Sequence, residues 1–211
     1  MFVQGLTFAF VEEPLVGAYA LLKGSGSIIN GAMDVLNVSF SARGSESNPS
    51  LTSLKLGFLF GCVGIGCIIG SVITDIFAKL SHPKRIAQLC LVAYCFMSIG
   101  CFVMALVPNF FDFICVSVII RSIGAQMIWI NSTLLIQKFT PPGLLGRVNS
   151  IDTGVALFGE ALSALGGGLL MDKMDVSPED LSLILAAVSL WFVFFWSPLA
   201  FKSPKKEAII K

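Results

Sequence analysis

Long apolar segments alternate with short polar stretches along this chain of 211 residues. About 20 mostly apolar residues in a helix cross a bilayer, and such segments occur at residues 14–40, 54–78, 86–107, 113–137, 148–171 and 181–201. The third and sixth contain no charged residue, whereas the first is the least apolar because it includes Lys23, Asn30 and Asp34. The pattern predicts an all-α integral membrane protein, with a six-span bundle over residues 14–201 and an interfacial lead-in over residues 1–13.

The composition agrees with a membrane location. Hydrophobic residues make up 55% of the chain and charged residues 13%, whereas soluble domains contain about 25% charged residues. Six apolar segments would also leave too little polar sequence to cover a water-facing surface. The formal net charge is only +1, so no basic surface indicates a nucleic-acid partner. The lipid bilayer is the first partner that the sequence predicts.

The positions of lysine and arginine orient the spans, since basic residues are enriched on the cytoplasmic side of a membrane. Basic residues follow the second, fourth and sixth segments, at Lys79, Lys84, Arg85, Lys138, Arg147 and within residues 202–211. The opposite loops are mainly acidic. Both termini are therefore expected to be cytoplasmic, with residues 202–211 as a basic cytoplasmic tail. The pattern carries no information about which membrane the protein occupies.

Residues suited to metal or catalytic chemistry are sparse. The six cysteines lie in or beside apolar segments without a CxxC pair, and the single histidine, His82, has no ligand partner at a useful spacing. No nucleophile lies beside a base. We therefore expect no metal, no cofactor and no enzymatic activity.

Glycines indicate helix-packing surfaces in two segments, because small residues let helices approach closely in a membrane. They are Gly57, Gly61, Gly66 and Gly70 in the second segment and Gly166, Gly167 and Gly168 in the fifth. Both segments close with two small residues followed at the same spacing by an aspartate, Asp75 or Asp172. These segments are the middle members of two triplets that run in opposite directions. The recurrence therefore predicts a 3+3 inverted repeat, with a chance match as the alternative.

Motifs near the inner loops resemble those of a known family. Ser71 and Asp75, followed by Lys79, Lys84 and Arg85, are similar to the loop signature of major facilitator superfamily transporters, with a serine replacing a glycine and the basic residues displaced. The stretch PGLLGRV at residues 142–148 and the lead-in GLTFAF resemble the branch that contains enterobactin and macrolide exporters. The resemblance implies the C-terminal six-helix half of such a transporter. The second half would be a missing N-terminal half, a separate chain or a second copy.

The charges of the inner loops also have a physical rationale of their own. Asp75 at a helix end can pair with Lys84 or Arg85 across a tight turn and latch one conformer on the cytoplasmic side. Ser71, Gly146 and Arg147 join this predicted latch because they belong to the motifs above. The alternative is that these charges only set the topology.

Arg121 lies inside the fourth segment, about nine residues or roughly 13 Å from its outer end. Glu160 lies about 11 residues, or roughly 16 Å, from the outer end of the fifth segment. Ionisable groups within spans usually face a bundle interior or a water-filled path and pair with one another. We expect Glu160 to be the first partner of Arg121 and Asp34 the second, whereas Lys23 has no evident acidic partner and is a further path candidate.

Two roles remain open for this charge pair. A static pair would only pin two helices together, whereas a pair that lines a central path would exchange partners with substrate or protons. Glu160 is the better proton carrier, because burial favours the neutral form of a carboxyl group. The remaining path candidates offer hydrogen bonds and stacking, and they are Asn30, Gln126, Trp129 and Asn131.

The sequence thus predicts half of a secondary active transporter for small-molecule efflux by alternating access, with proton coupling as an option. The alternative is a truncated or non-transporting membrane scaffold whose charges only fix geometry. One half has no counterpart against which to rock. The chain is therefore expected to be an inactive fragment, a half that pairs with itself or a separate partner, or the second half of a longer transporter. The substrate and the coupling ion do not follow from the sequence.

Overall fold

The computed structural model describes residues 2–45, 47–78 and 82–201. A lead-in of α1 (Phe2–Thr7) and a π-helical turn (Phe8–Glu12) precedes α2 (Pro14–Ala42), α3 (Pro49–Ala78), α4 (Pro83–Leu106), α5 (Phe111–Phe139), α6 (Pro142–Lys173) and α7 (Pro178–Phe201). Helices α3 to α7 are each long and apolar enough to cross a membrane, and α2 meets that standard together with the lead-in. The predicted all-α membrane architecture is confirmed, and the predicted tail at residues 202–211 lies outside the described residues.

Proline marks the start of most of the long helices. α2, α3, α4, α6 and α7 each begin at a proline, whose fixed φ suits the first helical turn and whose missing N–H would lack a partner there anyway. α7 has an additional cap, because the Ser177 hydroxyl accepts a hydrogen bond from the Asp180 amide at 3.1 Å. Most helices extend beyond the apolar segments of the sequence, since helical hydrogen bonding continues where the side chains become polar.

The packing of the helices follows a pseudo-twofold pattern. α2 packs mainly along α6, α3 packs mainly along α5, and α4 contacts both α5 and α7. An inverted repeat matches α2 with α5, α3 with α6 and α4 with α7. Under this matching the pair α2–α6 corresponds to the pair α5–α3, and both pairs are in contact. Among α3 to α7, the two middle helices α3 and α6 are the least buried. They therefore form the two open edges of the bundle.

A buried hydrogen-bond network joins α2 to α4 and α7. The Tyr94 hydroxyl donates to the Leu22 carbonyl at 2.8 Å and lies 2.7 Å from the Ser25 hydroxyl. The Trp196 indole nitrogen donates to the same Ser25 oxygen at 3.0 Å. Because buried polar groups are costly without partners, this network fixes the relative rotation of the three helices.

Glycines provide close approach at only some of the predicted positions. A side chain at Gly66 or Gly70 of α3 would meet the α5 backbone at 2.6 or 2.7 Å, and one at Gly167 would meet Ala32 of α2 at 3.1 Å. The other four predicted packing glycines meet no described atom within 4 Å, and they are Gly57, Gly61, Gly166 and Gly168. The expectation is therefore corrected for the described part of the bundle, since a side chain at these four positions would have open space beside it.

The lead-in folds against the N-terminal end of α6. It meets α2 at an angle of 103°, and a side chain added at Gly5 would lie 3.1 Å from the Arg147 Cβ. The Arg147 Nη1 donates a hydrogen bond to the Gln4 Oε1 at 2.8 Å. The predicted lead-in is thus a short helical element that is held by the start of α6.

Candidate functional site

Helices α2, α3, α5 and α6 line a partly open cavity of about 230 Å³, which we call the polar cavity. Its lining comprises Asn30, Asp34, Phe60, Val63, Cys67, Arg121, Ser122, Ala125, Gln126, Trp129 and Glu160. The polar side chains among them are exceptions within long apolar helices. Their convergence on one space makes this cavity the candidate site.

Arg121 is the buried cation of the polar cavity, with only 3% of its surface exposed. Its Nη1 donates a hydrogen bond to the Asn30 Oδ1 at 3.0 Å, while its Nε has no partner among the described atoms. Gly100 of α4 lets α4 and α5 pack closely at Arg121, because a side chain at Gly100 would lie 2.7 Å from the Arg121 backbone nitrogen. A guanidinium with an unused buried donor is suited to bind an acceptor group of a ligand.

Two carboxylates share the polar cavity with Arg121. Asp34 of α2 is exposed, Glu160 of α6 is partly exposed, and both interact electrostatically with the guanidinium. The direct hydrogen bond of Arg121 is with Asn30, and no ion pair with either carboxylate is formed among the described residues. The expectation that Glu160 is the first partner is therefore corrected. Arg121 and Glu160 lie at a similar depth along their helices, but depth does not determine where each side chain points.

The contact between α2 and α6 positions Glu160 beside Asn30. Gly31 lies directly against the Glu160 carbonyl, so any side chain at Gly31 would overlap the α6 backbone. One turn further along α6, the Ser163 hydroxyl donates to the Ile28 carbonyl and accepts from the Ala32 amide. These contacts hold the backbones of α2 and α6 in direct contact. Sequence analysis missed Gly31 because it lies outside the two glycine-rich segments.

The remaining predicted path residues divide between the polar cavity and the packed core. Gln126 lines the cavity and donates from Nε2 to the Ser71 hydroxyl at 3.3 Å, and Trp129 forms part of the cavity wall. Asn131 does not line this cavity. It is fully buried, and neither polar atom of its side chain has a partner among the described atoms.

Lys23 has an acidic partner that sequence analysis missed. Its Nζ forms an ion pair with the Asp152 Oδ2 of α6, and both side chains are buried. The same Nζ donates to the Thr133 Oγ1 of α5 at 2.7 Å. The expectation that Lys23 lacks an acidic partner is therefore wrong. The usable signal was depth, because Lys23 and Asp152 each lie about ten residues from the proline that begins their helix.

The predicted latch residues lie near the C-terminal end of α3 and the N-terminal ends of α4 and α6. Asp75 is exposed near the end of α3, and Lys84 and Arg85 are exposed in the first turn of α4. Ser71 lies one turn before Asp75 and faces α5, where it accepts the hydrogen bond from Gln126. A side chain added at Gly146 would meet no described atom, and the described contact of Arg147 is with the lead-in. The latch stays a prediction.

The sequence of this chain is similar to those of known exporters. An enterobactin exporter from Escherichia coli O81 (strain ED1a) is 29% identical over 192 residues, which cover 87% of this chain and 42% of the exporter. The enterobactin exporter of Shigella boydii serotype 18 (strain CDC 3083-94 / BS512) is also 29% identical, with the same coverage. The chain thus spans about half the length of these curated relatives.

The fold itself matches a solved transporter structure. The inward-open xylose transporter XylE from E. coli superposes with a TM-score of 0.67 at 16% sequence identity, over 92% of this chain and 49% of the transporter. The model of the Major Facilitator Superfamily matches residues 15–209. The six long helices in two triplets and the polar cavity among four of them agree with this match. The chain belongs to the Major Facilitator Superfamily.

Proposed function

We propose that this chain is one half of a secondary active transporter that exports a small molecule by proton-coupled alternating access. The observation that carries the proposal is the polar cavity, in which three apolar helices bring Arg121, Asp34 and Glu160 together around one space. Ionisable groups are costly in a membrane, so their convergence in a cavity marks a transport path more often than a structural contact. Membership of a transporter superfamily supports the same conclusion.

The charge balance of the cavity supports proton coupling. One guanidinium faces two carboxylates, so the cavity carries a negative excess unless a proton or a cation binds there. A proton on Asp34 or Glu160 would also occupy a carboxylate oxygen that could otherwise accept a hydrogen bond from a donor group of the substrate. Substrate and proton would then compete for the same few atoms, which is the requirement for coupled exchange.

The direction and the first substrate to test come from the relatives. The exporters from E. coli and S. boydii are named for enterobactin, and the loop motifs of this chain resemble their branch. We propose efflux as the direction and enterobactin as the first substrate to assay. The charge distribution of the loops further supports a topology with both termini in the cytoplasm.

A second six-helix half completes the path in this proposal. Gly57 and Gly61 of α3 and Gly166 and Gly168 of α6 lie on the two open edges of the bundle, with no described atom within 4 Å of an added side chain. Such surfaces favour close contact with other helices. The mass of the native polypeptide, detected by an antibody against the C-terminal tail, distinguishes the sources of this half. A band near 22.6 kDa indicates a chain that stands alone, and one about twice as large indicates a covalently linked half.

The transport proposal is tested with that native polypeptide in sealed vesicles. We expect enterobactin flux to follow an imposed pH gradient, and Glu160→Gln or Asp34→Asn to abolish the dependence on that gradient at unchanged abundance. Asp172→Asn is the matched control, because this aspartate is exposed at the far end of α6 and does not line the cavity. Its flux should equal that of the unmodified protein.

The alternative is a non-transporting scaffold whose charges only fix geometry. In that case Glu160→Gln would lower the abundance of the protein, and flux in the unmodified protein would stay at the level of empty vesicles. Either result contradicts the transport proposal.

A further inference from the structure

The Lys23–Asp152 ion pair lies in a part of the bundle that the polar cavity does not include. Lys23 is 2% exposed and Asp152 is fully buried. The second carboxylate oxygen of Asp152 has no hydrogen-bond partner among the described atoms. A buried ion pair of this kind contributes little net stability, since apolar residues of similar volume often stabilise a protein equally well or better. We therefore looked for a role of the Lys23–Asp152 pair beyond the connection of α2 with α6.

The Lys23 ammonium has three neighbours among the described residues of the bundle. One partner is Asp152 of α6, the second is the Thr133 hydroxyl of α5, and the third is the ring of Trp129, whose centroid lies 4.6 Å from Nζ. Trp129 and Thr133 lie on the same face of α5, one turn apart, and the Thr133 hydroxyl itself donates to the Trp129 carbonyl at 2.9 Å. The ammonium thus contacts both the ring of Trp129 and the helical turn that carries it.

The ion pair and the polar cavity form two layers on the same three helices. Lys23 precedes Asn30 on α2, Asp152 precedes Glu160 on α6, and Arg121 precedes Trp129 on α5, each by about two helical turns or 10–12 Å. Two turns return a side chain to the same face of a helix, so both layers face the same space. Trp129 belongs to both, because it lines the polar cavity and also lies under the Lys23 ammonium.

We propose that Lys23 and Asp152 are positioning residues for substrate recognition, and that they act by holding Trp129 as a wall of the polar cavity. This inference rests on the proposed transport function for its consequence, although the positioning itself is a property of the structure alone. Asp152 keeps the ammonium buried, and the ammonium holds the indole by a cation–π contact. A planar part of a substrate would stack on that indole beside the groups around Arg121.

The positioning is tested by ¹⁹F NMR of the chain labelled with 5-fluorotryptophan and purified in lipid nanodiscs. The Trp129 resonance is assigned by its loss in Trp129→Phe, and Trp191 on α7 serves as an internal reference. The test variant combines Lys23→Met with Asp152→Leu, because an apolar pair of similar size preserves folding where a single substitution leaves a buried charge. We expect the Trp129 resonance to move or broaden and the Trp191 resonance to stay in place.

Two further variants control for this design. Arg43→Met combined with Glu179→Leu removes an ion pair of 2.6 Å at the outer end of the bundle, and it should leave Trp129 unchanged. Lys23→Gln combined with Asp152→Asn keeps a polar pair at these positions but removes the ammonium from the Trp129 ring, and it should shift Trp129 in the same direction as the apolar double variant. This polar double variant thus decides the matter even if the apolar one does not fold. An unchanged Trp129 resonance, or an equal shift of Trp191, would overturn the proposal.

The consequence for transport is measured separately as enterobactin flux. In the Lys23→Met and Asp152→Leu double variant, the enterobactin concentration for half-maximal flux should rise by about three- to tenfold, as expected from loss of one aromatic contact, with a smaller change in maximal flux. Loss of maximal flux at an unchanged half-maximal concentration would contradict a role in recognition. Absence of flux in the unmodified protein would refute the transport function and leave the NMR test of positioning intact.

Discussion

Substitution of Gly31 by alanine tests whether the close contact of α2 with α6 supports the polar cavity. A methyl group at this position would lie 2.8 Å from the Glu160 carbonyl carbon and 2.9 Å from the Ala164 nitrogen. The methyl group would lie closer still to the Glu160 carbonyl oxygen. Ordinary contacts of this kind are about 3.5–4.0 Å long, so α6 must move away by more than about 1 Å. That movement would also lengthen the hydrogen bond of 3.1 Å between the Ala32 amide and the Ser163 hydroxyl.

The expected cost follows from these two effects. Overpacking of a well-packed contact costs about 1–3 kcal/mol, and a weakened interhelical hydrogen bond in a membrane adds about 0.6 kcal/mol. Alanine is otherwise the better helix former by about 1 kcal/mol, which offsets part of the loss. We therefore expect Gly31→Ala to lower the free energy of unfolding by about 0.6–2.6 kcal/mol.

The matched control for this substitution is Gly57→Ala in α3. An added methyl group there meets no described atom within 4 Å, so only the gain in helix propensity remains. Thermal unfolding of both variants in the same detergent compares the two sites directly. Equal midpoints for the two variants would refute the conclusion that α2 and α6 are in backbone contact at Gly31.

Three further outcomes are expected from the charged groups. Arg121→Met should abolish flux although the protein is present at measurable abundance. Arg121→Lys should retain little flux, because a lysine cannot reproduce the planar guanidinium contacts. Equal flux in Arg121→Lys and the unmodified protein would contradict this expectation. Lys23→Met alone should destabilise the protein by about 3–5 kcal/mol, and Asp152→Leu in the same chain should restore most of that loss in a thermal unfolding assay. Arg43→Met should cost less than about 1 kcal/mol, since its partner Glu179 is partly exposed, and high salt should reduce the difference further.

Depth matching along the spans recovered much of the site from the sequence. Arg121, Asp34 and Glu160 were expected to meet, and they share one cavity. The same reasoning missed Asp152, because the predicted fifth segment began at residue 148 and placed this aspartate at the membrane edge. The helix starts earlier, at Pro142, and the correct start matches the depth of Asp152 with that of Lys23.

The sequence by itself determined the features that depend on local composition. Apolar segments of bilayer length establish a multi-span membrane protein, and the recurring glycine and aspartate pattern indicates two related triplets. These features survive an error of a few residues in any helix boundary, because they depend on averages over a whole segment.

Only the tertiary structure decided which side chains meet. Each residue turns a helix by about 100°, so a small uncertainty in helix rotation changes the neighbour of every side chain. For this reason neither the bond of Arg121 to Asn30 nor the close packing of Gly66 rather than Gly57 could be read from spacing. The pairing of Lys23 with Asp152 required, in addition to spacing, the start of α6 at Pro142. These contacts depend on how α2, α3, α5 and α6 rotate against one another when their apolar surfaces and buried hydrogen bonds are satisfied together.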